Sequence, residues 1–200
     1  MNAPMISTRS GRNVSLLSPS AGQIVIGDIA HGLAHQCRFN GQTNKFYSVA
    51  QHSVLVASVL PKELKLAGLL HDAAEAYLGD IVQPLKTLLP EFAAIEDRFM
   101  QAISTRFSVS TIHHPEIKKA DLVALATERR DLMPMEKIEW ATLEGITPLK
   151  QAIRPMAPDE AAKEFLKCFF KLHSHHREQH NRDRGRGFLN ALIPASLLSA

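Results

Sequence analysis

Cysteine is scarce in this chain: Cys37 and Cys168 are its only two, and they stand far apart. That excludes a disulfide-stapled fold and a zinc-finger spacing, and leaves two reduced, partly buried thiols as the expectation. Aromatic residues are sparse as well, at 6%. No apolar run approaches the roughly 18 residues that cross a bilayer. The opening MNAPMISTRSGRNVS has none of the apolar stretch of a secretory signal. A cytoplasmic protein with no membrane association is therefore expected. Charge of one sign is lacking too. Lys and Arg number 23 against 20 Asp and Glu, a net +3. So small an excess does not point to a nucleic-acid partner, although it suits an anionic small substrate. Strand-like alternation is almost missing, and there is no internal repeat.

What is present is helical periodicity over 200 residues, enough for one sizeable core. Residues 1–20 read as an extended arm, with a short strand at Val14–Leu17. Asp28 is placed to cap a helix to about Cys37, and Asn40-Gly41 signals a loop. Ser48 caps the next helix, which Pro61 stops. A continuous helix is expected from Lys62 to about Leu78, closed by Gly79. Helices follow over Glu91–Phe107, Pro115–Leu132 and Pro158–Leu172. The expectation is one all-α domain spanning 21–172. Residues 173–200 change composition to His, Arg and polar residues before an apolar end, and read as a solvated or disordered extension.

The segment LAGLLHDAAEAYLGDIVQPLK (66–86) carries the chemistry. An apolar run leads into His71, Asp72 and Glu75, which share a helix neighbourhood, and Asp80 follows the turn. Burying four ionisable groups without partners costs several kcal/mol each. A bound divalent cation is the simplest compensation, and histidine with carboxylates suits Zn, Mn, Fe, Co or Mg. A surface hydrogen-bonded His–Glu pair is the plainer alternative. His52, in SVAQHSVLVA, is either a satisfied core histidine or a ligand. Asp121, in EIKKADLVALA, either favours a helix N-terminus or joins the same site. His31 and His35 have a metal-compatible spacing but read as structural or pocket-lining, and His113-His114 read as an exposed loop.

The order His52…His71-Asp72…Asp121, together with CRFNGQT, FYSVAQHS, LLHDAAEAYLGDIVQPLK and IKKAD, resembles the HD superfamily of phosphohydrolases over roughly residues 24–132. The resemblance implies an HD-domain helical bundle with a metal held by His52, His71, Asp72 and Asp121, and no organic cofactor. It implies Glu75 as the acid that orients or deprotonates water and Asp80 as a second catalytic carboxylate. Arg38, Lys86 and Lys118 match its basic positions toward substrate phosphates, with Lys119 competing for the role of Lys118. Phe39, Gln42, Phe46 and Tyr47 are candidates to meet a base or sugar, with Ile24 from the arm, and each is equally plausible as core.

Within the superfamily the chain resembles the small phage dATP triphosphohydrolases in size and in the spacing from His52 to His71, and also the bacterial 5′-deoxynucleotidases. Both attack the α-phosphorus. Surplus positive charge at Arg38, Lys86, Lys118 and Lys119 tilts the expectation toward a triphosphate, which the resemblance makes dATP, giving deoxyadenosine and triphosphate; a deoxynucleoside monophosphate is the alternative. A binding module with a broken metal set, and a nucleic-acid binder working through the tail, are weaker readings. A homo-oligomer is expected from the apolar C-terminus and exposed apolar helices.

Overall fold

The computed structural model describes residues 4–110, 112–134 and 139–192, with side chains through residue 178. The chain is a helical bundle carrying a small β-arm. Strand β1 (Met5–Ser7) pairs antiparallel with β2 (Asn13–Ser15), with Ile6 opposite Val14. The helices are α1 (Ile26–His35), α2 (Val49–Val59), α3 (Lys65–Leu69), α4 (Glu75–Leu78), α5 (Gln83–Lys86), α6 (Pro90–Phe107), α7 (Pro115–Leu132) and α8 (Pro158–Leu192). Helix α8 packs across α1, α2 and α3, and α7 lies against α2. Leu33, Val56, Leu69, Leu70, Phe99, Ile103 and Phe165 fill the core between them.

Local chemistry explains the boundaries. The buried Ser48 hydroxyl accepts the amide of Gln51 and caps α2. Helices α6 and α7 begin on Pro90 and Pro115, whose missing N–H costs nothing in a first turn. His114 caps α7 by accepting the Glu116 amide at its ring nitrogen, so the exposed His113-His114 loop is half structural. Gly79 ends α4 with φ of 90°, in the left-handed region.

Four expectations are corrected. Asp28 does not cap α1. Val25 holds that position, and the buried Asp28 carboxylate instead accepts the Ser10 amide (2.9 Å) and hydroxyl (2.7 Å), fastening the arm. The strand lies at Asn13–Ser15 rather than Val14–Leu17. The helix expected over 62–78 is broken: a 3₁₀ turn precedes α3, and residues 70–74 form turns with i to i+3 bonds before α4. Finally, the helix expected to stop at Leu172 continues to Leu192, so 173–192 is helical rather than irregular. The tail is tied down at its start, where His173 stacks on Phe169 at 5.0 Å and His176 Nε2 meets the Ser108 carbonyl at 2.7 Å. The apolar end at 193–200 lies outside the described residues.

Two backbones nearly touch where α1 crosses α4. A β-carbon on Gly32 would lie 2.8 Å from the Ala76 carbonyl oxygen, so only glycine fits. Among the described residues no helix is long and apolar enough to cross a membrane.

Candidate metal centre

Three elements bring the central side chains together. His52 lies in the second turn of α2 and is 0% exposed. His71 and Asp72 lie in the turns between α3 and α4. Consecutive residues of a regular α-helix diverge by roughly 100°. The break in the helix lets both neighbours face one point, with His71 Nε2 3.2 Å from Asp72 Oδ2. His52 Nε2 lies 3.4 Å from the same oxygen and 3.3 Å from Asp121 Oδ1 on α7. One ligand atom from each of His52, His71 and Asp72 lies within 4.8 Å of the others, so this group could hold a metal ion. Asp121 reaches it from the His52 side, its other oxygen taken by Lys118 at 2.8 Å.

Hydrogen bonding aims the two rings. His71 Nδ1 meets the Gly68 carbonyl at 2.8 Å, and His52 Nδ1 meets Glu128 Oε1 at 2.6 Å. A carbonyl or an ionised carboxylate only accepts, so each Nδ1 carries the proton and each Nε2 faces the cluster. Both Nε2 atoms are buried and without a hydrogen-bond partner. Two buried imidazole nitrogens against carboxylate oxygens favour positive charge between them, and a divalent cation would supply it.

The ionisation equilibria show the same demand. Burial and the Arg38 charge pull His52 down, but Glu128 and Asp121 outweigh them and hold it up at about 10. His71 is pushed down, mainly by burial. Asp121 is held well below the usual carboxylate range: burial opposes this, but His52 and His71 win. Glu75 is only 4% exposed, and burial, with Asp72 and Asp80, drives its carboxyl well up. Asp80 is raised by burial, against the pull of Arg38. Glu75 Oε1 takes Lys86 Nζ at 3.3 Å, and its Oε2 is buried and unpartnered.

A protein of Escherichia coli (strain K12), the uncharacterized protein YfdR, is 40% identical over 168 residues, covering 84% of this chain and 94% of that protein. The chain belongs to the YfdR family. An uncharacterized protein of Rhodobacter capsulatus is also 40% identical to this YfdR-family chain, over 121 residues, 56% of the chain and 62% of that relative. No family model matches.

The remaining expected residues of this YfdR relative divide sharply. Arg38 reaches the cluster, with one terminal nitrogen 3.8 Å from Asp72 and the other 3.2 Å from Glu128. Burial opposes its charge, but Glu128 and Asp72 raise its pKa further. Lys86 reaches it through Glu75, but its ammonium is shared with Glu96 at 2.8 Å. Lys118 is 70% exposed and tied to Asp121, while Lys119 turns away to Glu116. Phe39 adopts a left-handed φ of 55° and approaches Trp140 at 6.1 Å. Gln42 is exposed and bonds weakly to the Asn40 carbonyl at 3.5 Å. Phe46 is half-buried. Tyr47 and Ile24 are both 0% exposed, so as core residues neither is open to a base. His31 and His35 lie against each other with ring centroids 4.0 Å apart and planes tilted by 37°, away from the cluster's contacts.

Sequence reasoning missed Glu128 and Trp140. Glu128 opens the charged run ERRD. Its signal is that it follows Asp121 by seven residues, close to two helical turns, and so shares its face.

Proposed function

We propose that this chain is a metal-dependent phosphohydrolase acting on deoxynucleotides, with His52, His71, Asp72 and Asp121 holding a divalent ion such as Zn, Co, Mn or Mg. The observation that carries the reading is the pair of buried, unpartnered Nε2 atoms facing carboxylate oxygens. The bound ion would supply Lewis acidity toward the phosphate. In the hydrolysis, water oxygen joins the α-phosphorus and the bond from phosphorus to O5′ breaks. Glu75 Oε2, buried and free of partners, takes the proton from water. Asp80, raised by burial, is suited to hold a proton for the departing O5′. The Arg38 guanidinium, already fixed by Glu128, offsets negative charge developing on the phosphate.

The resemblance implies dATP as substrate, with deoxyadenosine and triphosphate as products. A specific observation favours the second reading, release of orthophosphate from a deoxynucleoside monophosphate. Arg38, Lys86 and Lys118 are each already matched by a carboxylate, which removes the surplus positive charge that three phosphates would use.

Chelator-stripped protein reloaded with each ion, and incubated with each dNTP and dNMP, distinguishes these. Triphosphate from dATP supports the first reading, and orthophosphate from monophosphates the second. Full hydrolysis by stripped protein, or by the variant Asp72→Ala, would sink the mechanism.

A further inference from the structure

Glu128 is 0% exposed, yet it is a carboxylate with no solvent to support its charge. Its two oxygens face different partners. Oε1 accepts Nδ1–H of His52 at 2.6 Å, and Oε2 accepts from Arg38, with Nε and a terminal nitrogen both at 3.2 Å. The far side of each partner faces the cluster, through His52 Nε2 and through the Arg38 nitrogen near Asp72. From this geometry we infer that Glu128 is a positioning residue that sets His52 and Arg38 as one unit, so that a single buried carboxylate aligns a metal ligand with the cation that receives the phosphate.

Three features support this beyond simple ion pairing. A carboxylate cannot donate, so its contact dictates which His52 nitrogen keeps the proton and which turns inward. The Arg38 fork is engaged edge-on, which fixes the plane of the guanidinium as well as its position. The anchors also come from separate elements: Glu128 from α7, His52 from α2, and Arg38 from the 3₁₀ turn Arg38–Gly41. The Arg38 amide is itself pinned to the Tyr47 carbonyl at 2.9 Å, so the loop has little freedom to compensate. The inference rests on the metal-site reading above but not on the identity of the nucleotide.

The test uses Glu128→Gln, read without nucleotide. A glutamine can present only one oxygen, so it cannot accept from both partners. The variant should bind Co²⁺ about 10- to 100-fold more weakly. In the loaded protein, inorganic phosphate should bind about tenfold more weakly, the scale of one disturbed charged hydrogen bond. Nitrogen-15 spectra of the Zn²⁺-loaded chain should show His52 protonated at Nδ1 in the wild type, and a loosened mixture of tautomers in the variant. A variant that binds Co²⁺ and phosphate like the wild type would overturn the inference. Should Glu128→Gln lose its helical circular dichroism, the wild-type spectrum decides alone: a His52 proton on Nε2 in the loaded chain overturns it. Failure of the metal-site reading is separately visible, as a wild-type chain that takes up no Co²⁺, and that result removes both. Lack of nucleotide hydrolysis with these shifts intact would remove the proposed substrate and leave the role of Glu128 standing.

Discussion

Glu75 holds charge in a place that resists it. Its folded pKa is raised, chiefly by burial and then by Asp72 and Asp80, so the folded state binds its proton more tightly than the unfolded chain does. The ionised form therefore costs stability at neutral pH. Glu75→Gln should raise the melting temperature of the metal-free chain, by about 2–4 °C for each 1 kcal/mol relieved, while turnover falls by at least about 100-fold. Thermal melts and initial rates on one preparation check both. An unchanged or lower melting temperature would show that the Lys86 contact outweighs the crowding. His52 gives the opposite sign. Its folded pKa, at about 10, lies above its ordinary 6.5. In the metal-free chain its contribution is fully present below pH 6.5 and is lost as pH rises toward 10. A cation must also displace the proton on Nε2. Metal uptake near pH 7 should release about one proton per ion, and affinity should rise with pH; calorimetry in buffers of different ionisation enthalpy measures it. The candidate ligands were named through the resemblance, since the residues alone left His52 open as a core histidine and Asp121 as an acid at a helix N-terminus. Glu128 was not, since neighbouring arginines disguise a buried acid as surface charge.

At the scale of elements, α2 has the clearest single lever. Its first turn depends on the buried Ser48 hydroxyl, and His52 follows four residues later. Ser48→Ala should cost about 1 kcal/mol, seen as a melting point lower by about 2–4 °C. Its loss of Co²⁺ affinity should be smaller than that of Glu128→Gln, because the hydrogen bond orienting the ring is untouched. Most helices were readable from proline starts and apolar spacing, and α7 matches its expected ends, Pro115 and Leu132. The break at 70–74 was not. Nothing in LLHDAAEA disfavours a regular helix locally, and Ala and Leu actively favour one. The unwinding has a tertiary cause, since only there can His71 and Asp72 point the same way. The extension of α8 was missed for the converse reason: a polar, His- and Arg-rich stretch gives no apolar face by which to follow a helix.

For the whole molecule, α8 defines what can be removed. Among its described side chains, His173 and His176 reach Phe107, Phe169 and Ser108. A chain ending after Glu178 should keep the melting temperature and the Co²⁺ affinity of the full chain. One ending after Leu172 should melt several degrees lower, and equal melting of the two would assign these contacts no weight. The all-α class was legible from periodicity alone, while the arrangement of α8 over α1, α2 and α3 was not, because helices of similar amphipathicity do not announce their partners. The crossing at Gly32 leads in another direction. A single methyl group there would meet the Ala76 backbone and push on α4, on which Glu75 sits next to Ala76. Gly32→Ala should therefore give a chain that takes up Co²⁺ normally in the cold and loses turnover on mild warming before it unfolds. In a living cell that would be a heat-conditional allele, able to switch this chain off within one generation and expose what the cell uses it for.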